Sequence, residues 1–170
     1  AIVLLIVACK PNPHTPPSPS TIQVDSVYTT AKIEYHGDFY ESGHQVYAFD
    51  LLSDGLHFDS AGYIVGTGCN LCLSDVFAPT DSISHLPAGI YHMDSTAQDM
   101  SFLRGLYFES NGITGSYLLE IKESQIQRIT LFTAGEMTID YTDGDTIMAF
   151  TLYTADSIRY NASYIGYSQL

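Results

Sequence analysis

From residue 21 onward the sequence is cut into strand-length runs by turn residues, and no window of a dozen residues carries helical spacing with caps. Residues 45–51 (QVYAFDL) alternate in short stretches, while 116–121 (SYLLEI) and 146–153 (TIMAFTLY) are rich in β-branched and aromatic side chains. Ser53-Asp54-Gly55, Asn111-Gly112 and Asp143-Gly144-Asp145 supply the turn chemistry between such runs. The spacing predicts an all-β fold: an antiparallel β-sandwich or flattened β-barrel of about nine strands, joined mostly by hairpins. A lipocalin- or calycin-like barrel is the alternative. Residues 53–61 and 100–105 fit the pattern least.

The surface chemistry is acidic. Six Lys and Arg face nineteen Asp and Glu, a net charge of −13. Binding a phosphate backbone needs clustered cations, so the balance argues against nucleic acid and against electrostatic docking on an anionic membrane. Charged residues make up only 15% of the chain, so Ser and Thr must carry much of the solvation.

The other end of the chain differs in kind. Residues 1–8 (AIVLLIVA) are apolar throughout, yet a spanning helix needs about 20 such residues. They read as the end of a lipoprotein signal peptide, and Ile6-Val7-Ala8-Cys9 resembles a bacterial lipobox. Cys9 is expected to be lipidated and to become the mature N-terminus. A buried strand is the alternative, disfavoured because the run leads into prolines. Residues 9–20 form a linker holding Pro11, Pro13, Pro16, Pro17 and Pro19, which favour extended polyproline II and cannot join a sheet. At about 3.1 Å per residue this stalk would hold the domain of residues 21–170 some ~30 Å from a bilayer. The expected setting is the cell envelope, as an outer-membrane lipoprotein facing the periplasm or the surface, with the membrane engaged through the lipid.

Four elements occur in this order: Tyr35-His36-Gly37-Asp38-Phe39-Tyr40, Leu86-Pro87-Ala88-Gly89-Ile90-Tyr91, Ala134-Gly135-Glu136-Met137-Thr138-Ile139, and the ending 158–167 with Tyr164-Ile165-Gly166. In these the chain resembles a family of small, exported, β-rich lipoproteins of gut Bacteroidetes. The resemblance covers most of residues 31–170 and implies compartment and fold. It brings no activity with it.

Cys69-Asn70-Leu71-Cys72 is the most conspicuous pair of reactive groups. A redox pair needs a helix N-terminus to lower the attacking thiol's pKa, and these flanks read as a strand. Three residues along a strand span about 10 Å and put the side chains on opposite faces, beyond disulfide reach. A tight turn would instead allow a Cys69–Cys72 disulfide, favoured in an oxidising compartment. No second CxxC or close His pair completes a metal site, and His36, His44, His57, His85 and His92 are scattered. Asp140, Asp143 and Asp145 crowd a hairpin without the alternate carboxylates and closing Glu of a calcium loop. Thirteen Tyr and eight Phe with no Trp read as strand formers before sugar platforms.

Six triplets of Asp, then Ser or Thr, then Ala, Ile, Leu, Val, Met or Thr resemble the O-glycosylation signal of exported Bacteroidetes proteins, where composition alone gives about one. Their hydroxyls belong to Ser26, Ser60, Ser82, Ser95, Thr146 and Ser157. Hairpin grammar is the competing explanation, since Asp-Ser opens turns and an aliphatic residue opens strands. No hydrolase, phosphate-loop or zinc-protease motif occurs, and no catalytic, cofactor or metal-ligating residue is nominated. The expected role is a non-enzymatic binding or accessory protein with an unspecified protein or glycan partner. A structural or assembly component without a small-molecule ligand is the alternative, and an enzyme with a site invisible in sequence the third.

Overall fold

A computed structural model describes residues 22–167 except Ser84 and Asn111. The signal segment, Cys9 and the proline-rich linker lie outside the described residues, as does Asn111 of the Asn111-Gly112 turn. The described chain is all-β, and its strands run as follows. The first five are β1 (Gln23–Gly37), β2 (Gln45–Ser53), β3 (Leu56–Phe58), β4 (Ile64–Gly66) and β5 (Gly68–Ala78). Next come β6 (Gly89–Asp94), β7 (Ser101–Leu103), β8 (Leu106–Phe108) and β9 (Gly112–Thr114). The last are β10 (Ser116–Lys122), β11 (Gln125–Leu131), β12 (Ala134–Thr142), β13 (Asp145–Tyr153) and β14 (Arg159–Gly166).

Fourteen strands among the described residues replace the expected nine. The surplus is β3, β4, β7, β8 and β9, each three residues long and too short to show a period. The sandwich expectation is corrected too. Strand order runs β5-β2-β1-β14-β13-β12-β6-β7, and β7 returns to β5, closing an eight-stranded barrel. β10 and β11 extend from the same edge of β5 that β7 uses, β10 on residues 68–73 and β7 on 76–77. Not every seam is a hairpin: β1 pairs β14 in parallel, and β6 pairs β7 in parallel.

Period-two alternation decides what faces the lumen. Tyr47, Phe49 and Leu51 of β2, Met137 and Ile139 of β12, Met148, Phe150 and Leu152 of β13, and Tyr160, Ala162 and Tyr164 of β14 form one buried cluster with the other barrel strands. The outward positions of β12 are Glu136, Thr138 and Asp140, all exposed. A barrel that crosses a bilayer shows the reverse, apolar outside and polar within. No helix among the described residues is long and apolar enough to cross a membrane.

Eight strands enclose just enough room for side chains to fill or for one small ligand. Here side chains fill it. Leu86, 1% exposed, closes one end, and the segment around it is fastened by Tyr47 to the Ser82 carbonyl, Tyr91 to Pro87 (2.9 Å) and Tyr141 to Leu86 (2.8 Å). Towards the other end Phe132 stacks edge-on against Tyr160, whose hydroxyl meets Arg128 at 3.2 Å.

Candidate functional site

With the lumen packed, the concave surfaces lie on the outer wall. One such feature is built by the chain's excursion between β2 and β5. There β3 and β4 pair as a short hairpin whose loop is held by Asp59, accepting the N–H groups of Ala61 and Tyr63 at 2.9 Å. Two glycines fold this hairpin tightly onto the barrel. Gly66 has φ +113°, and a Cβ there would lie 2.1 Å from the Gly55 carbonyl oxygen. Leu56 of the hairpin is buried against Leu52 and Ile121, and Phe58 and Ile64 pack beside them.

Between the hairpin and the β10–β11 sheet runs a groove of about 370 Å³. Phe58, Tyr63, Leu119 and Ile126 supply apolar walls, while Lys32 and Asp50 are its charged lining groups. Asp50 faces outward from β2. One oxygen accepts from Asn70 Nδ2 at 3.1 Å and from the Cys72 thiol at 3.2 Å. Asn70 is 1% exposed, stands in register between Leu52 and Leu119, and its side-chain carbonyl has no hydrogen-bond partner. Leaving such a carbonyl unmet costs about 1–3 kcal/mol, and swapping the amide would set oxygen against the Asp50 carboxylate. Lys32 is cross-strand from Asp50 but turns to Glu34 at 2.5 Å, 5.6 Å from the Phe58 ring centre. That hydrogen bond from the ammonium raises the Lys32 pKa and lowers that of Glu34. Both partners are near half exposed, so the pair orients Lys32 more than it stabilises the fold.

A second, smaller pocket of about 200 Å³ lies between the β1–β2 loop and β5. A bulge opposite Ala48 places Ser74 and Asp75 side by side on the outer face. Asp75, 5% exposed, accepts hydroxyls from Tyr40 (2.5 Å), Ser74 (2.8 Å) and Thr114 (3.0 Å). Burial, then the bond to Asp75, pushes the Tyr40 phenol up to about 12. Ser74 Oγ also receives the Gly115 N–H at 2.6 Å, so it is committed to tying the β8–β9 hairpin to the wall rather than free to attack a substrate.

The remaining sequence candidates separate clearly. Cys69 and Cys72 are free thiols on the extended β5, without the tight turn a disulfide would need. Burial pushes both thiols up, with Asp50 adding to Cys72 and Glu120 to Cys69, so neither resembles an activated nucleophile. His44 pairs with Asp99 at 2.8 Å. Among the described residues no three His, Cys, Asp or Glu side chains gather as metal ligands. Asp140, Asp143 and Asp145 do share the β12–β13 hairpin. Of the six triplet hydroxyls, Ser60, Ser95 and Ser157 are exposed and Ser26 is half-buried. Ser82 and Thr146 are each 4% exposed. Asp94 meanwhile accepts the N–H groups of Ser95 and Thr96, the turn role that hairpin grammar assigns.

Lys32, Asp50, Asn70, Tyr63 and Ile126 come from five separate strands or loops, with no spacing to announce them. The orphaned Asn70 carbonyl needs the folded register to be seen. No family model, curated protein or solved structure matches the chain.

Proposed function

We propose that this chain is an exported, non-enzymatic binding protein of the bacterial envelope, held to the outer membrane through an acylated Cys9 and the linker of residues 9–20. On this reading it belongs with the small β-rich lipoproteins it resembles. The observation that carries the binding role is the outer groove, with apolar walls and Lys32 and Asp50 as its charged groups. Ligand sites commonly combine such walls with a few convergent polar groups. By strand number the barrel is of the lipocalin type. Its filled lumen favours a site on the outer wall instead.

Thermal denaturation of the full chain against a panel of small amines, polyols and carboxylates tests this role. A binder should raise the midpoint and move the NMR signals of Tyr63 and Ile126. Stabilisation mapping elsewhere would remove the groove from the account. The anchor has its own test. Mass spectrometry of the mature protein should find Cys9 acylated and residues 1–8 gone, and Cys9→Ala should release the protein from membranes.

One observation favours an assembly role as second reading. Among the described residues β11 has a strand neighbour on one side only, and Ile126 and Ile129 are 55% and 43% exposed along it. Edges of this kind recruit further strands. A concentration-dependent dimer in sedimentation, abolished by Ile129→Lys, would support it.

A further inference from the structure

Asp75 carries a buried charge that no cation answers. Among the described residues it makes no ion pair, and its donors are the neutral hydroxyls of Tyr40, Ser74 and Thr114. It lines the smaller pocket together with the His36, Phe39 and Tyr40 rings, and Val46 supplies an apolar wall. Among the described residues no Lys or Arg lines that pocket. Phe39 and Tyr40 stand edge to face, with centroids 5.0 Å apart and planes at 89°, so the two rings make a right-angled corner. The His36 ring lies 6.5 Å from Phe39, and Tyr40 packs 6.0 Å from the buried Phe77 ring. Donating its hydroxyl to Asp75 draws negative charge towards the Tyr40 ring, which then attracts a cation more strongly.

We propose that this pocket, separate from the outer groove, binds an alkylated ammonium head group, seated in the corner of Phe39 and Tyr40 with Asp75 as its counter-charge. At about 200 Å³ the pocket is smaller than the roughly 300–1,000 Å³ that drug-sized ligands fill, which suits a head group of this size. A primary ammonium presents three donors and needs acceptors in place of the water it loses. Both Asp75 oxygens already accept hydroxyls, so the pocket offers it little. An alkylated cation asks for charge and ring faces but for no hydrogen bond. A neutral apolar ligand leaves the charge standing, and an anion is repelled by it.

The experiment titrates the full chain with choline, with its uncharged carbon isostere 3,3-dimethylbutan-1-ol, and with ethanolamine, following the NMR signals of Tyr40 and Val46. Salt at about 0.15 M screens the long-range pull of an acidic chain on any cation. Choline should bind about tenfold more tightly than either other probe. Phe39→Leu, at a position 68% exposed, removes a ring and no charge. It should lose about fivefold in choline affinity and leave the alcohol nearly unchanged. Asp75→Asn should lose about tenfold for choline. Equal or tighter binding of the alcohol overturns recognition of charge. Ethanolamine as tight as choline overturns the alkylated head group. Signals unmoved by all three probes overturn the site and leave the outer groove unaffected. A choline affinity indifferent to Phe39→Leu overturns the ring corner, even if Asp75→Asn fails to fold.

Discussion

The β10–β11 hairpin turns through Glu123 and Ser124, and the β12–β13 hairpin through Asp143 and Gly144. All four residues have positive φ: 52°, 63°, 54° and 91°. Two-residue loops of this kind match the twist of the strands they join. Asp143-Gly144 suits the geometry by composition, and a Cβ on Gly144 would meet nothing within 4 Å. Glu123-Ser124 does not suit it, since each residue gives up about 1–2 kcal/mol in a left-handed conformation. That turn is held from outside. Ser124 N donates to Gly66 O at 2.7 Å, Gly66 N to Ser124 Oγ at 3.0 Å, and Glu123 N to Thr67 Oγ1 at 2.9 Å. One hairpin is specified by its own residues, the other by the β4–β5 corner, and the second borders the groove.

The largest expected effect breaks the outside support. Gly66→Ala drives a Cβ into the Gly55 backbone and should cost about 3 kcal/mol or more, read as a lower urea midpoint at unchanged slope. Ser124→Ala removes one bond of the corner and should cost about 1–2 kcal/mol. Ser124→Gly should recover part of that by relieving the positive φ. Gly144→Ala meets open space, so only conformation opposes it, at about 1 kcal/mol. A loss there equal to that of Gly66→Ala would show that crowding is not what separates the two turns. Asp143→Asn should change stability by a few tenths of a kcal/mol, since both residues tolerate the left-handed region.

The same contrast explains what could be read in advance. The turns at Asp54-Gly55 and Asp143-Gly144 and the runs 45–51 and 146–153 were legible because local chemistry and native conformation agree. Glu123-Ser124 was not, because its donors and acceptors sit on Gly66 and Thr67. The return of β7 alongside β6 was hidden for a similar reason. Parallel neighbours ordinarily need a crossover of a dozen or more residues, whereas here residues 95–100 suffice. Barrel closure rests on those pairings, so spacing left sandwich and barrel undivided. Cys69 and Cys72 were placed on a strand by their flanks. Cys72's partner Asp50 comes from the neighbouring strand, twenty-two positions away. The groove was invisible throughout, being assembled by register and by the fold-back of β3 and β4.

The parallel seam between first and last strands bears on time as well as shape. Val24 lies opposite Tyr160, and Tyr28 opposite Tyr164. Their meeting closes a loop of most of the domain, a slow event in the search for the native state. A nascent chain lacking β14 has nothing to set against β1 on that side, so its lumen stays open and its tyrosines wet. The wiring makes closure of the barrel wait for β14, so the domain cannot finish folding before that strand is made.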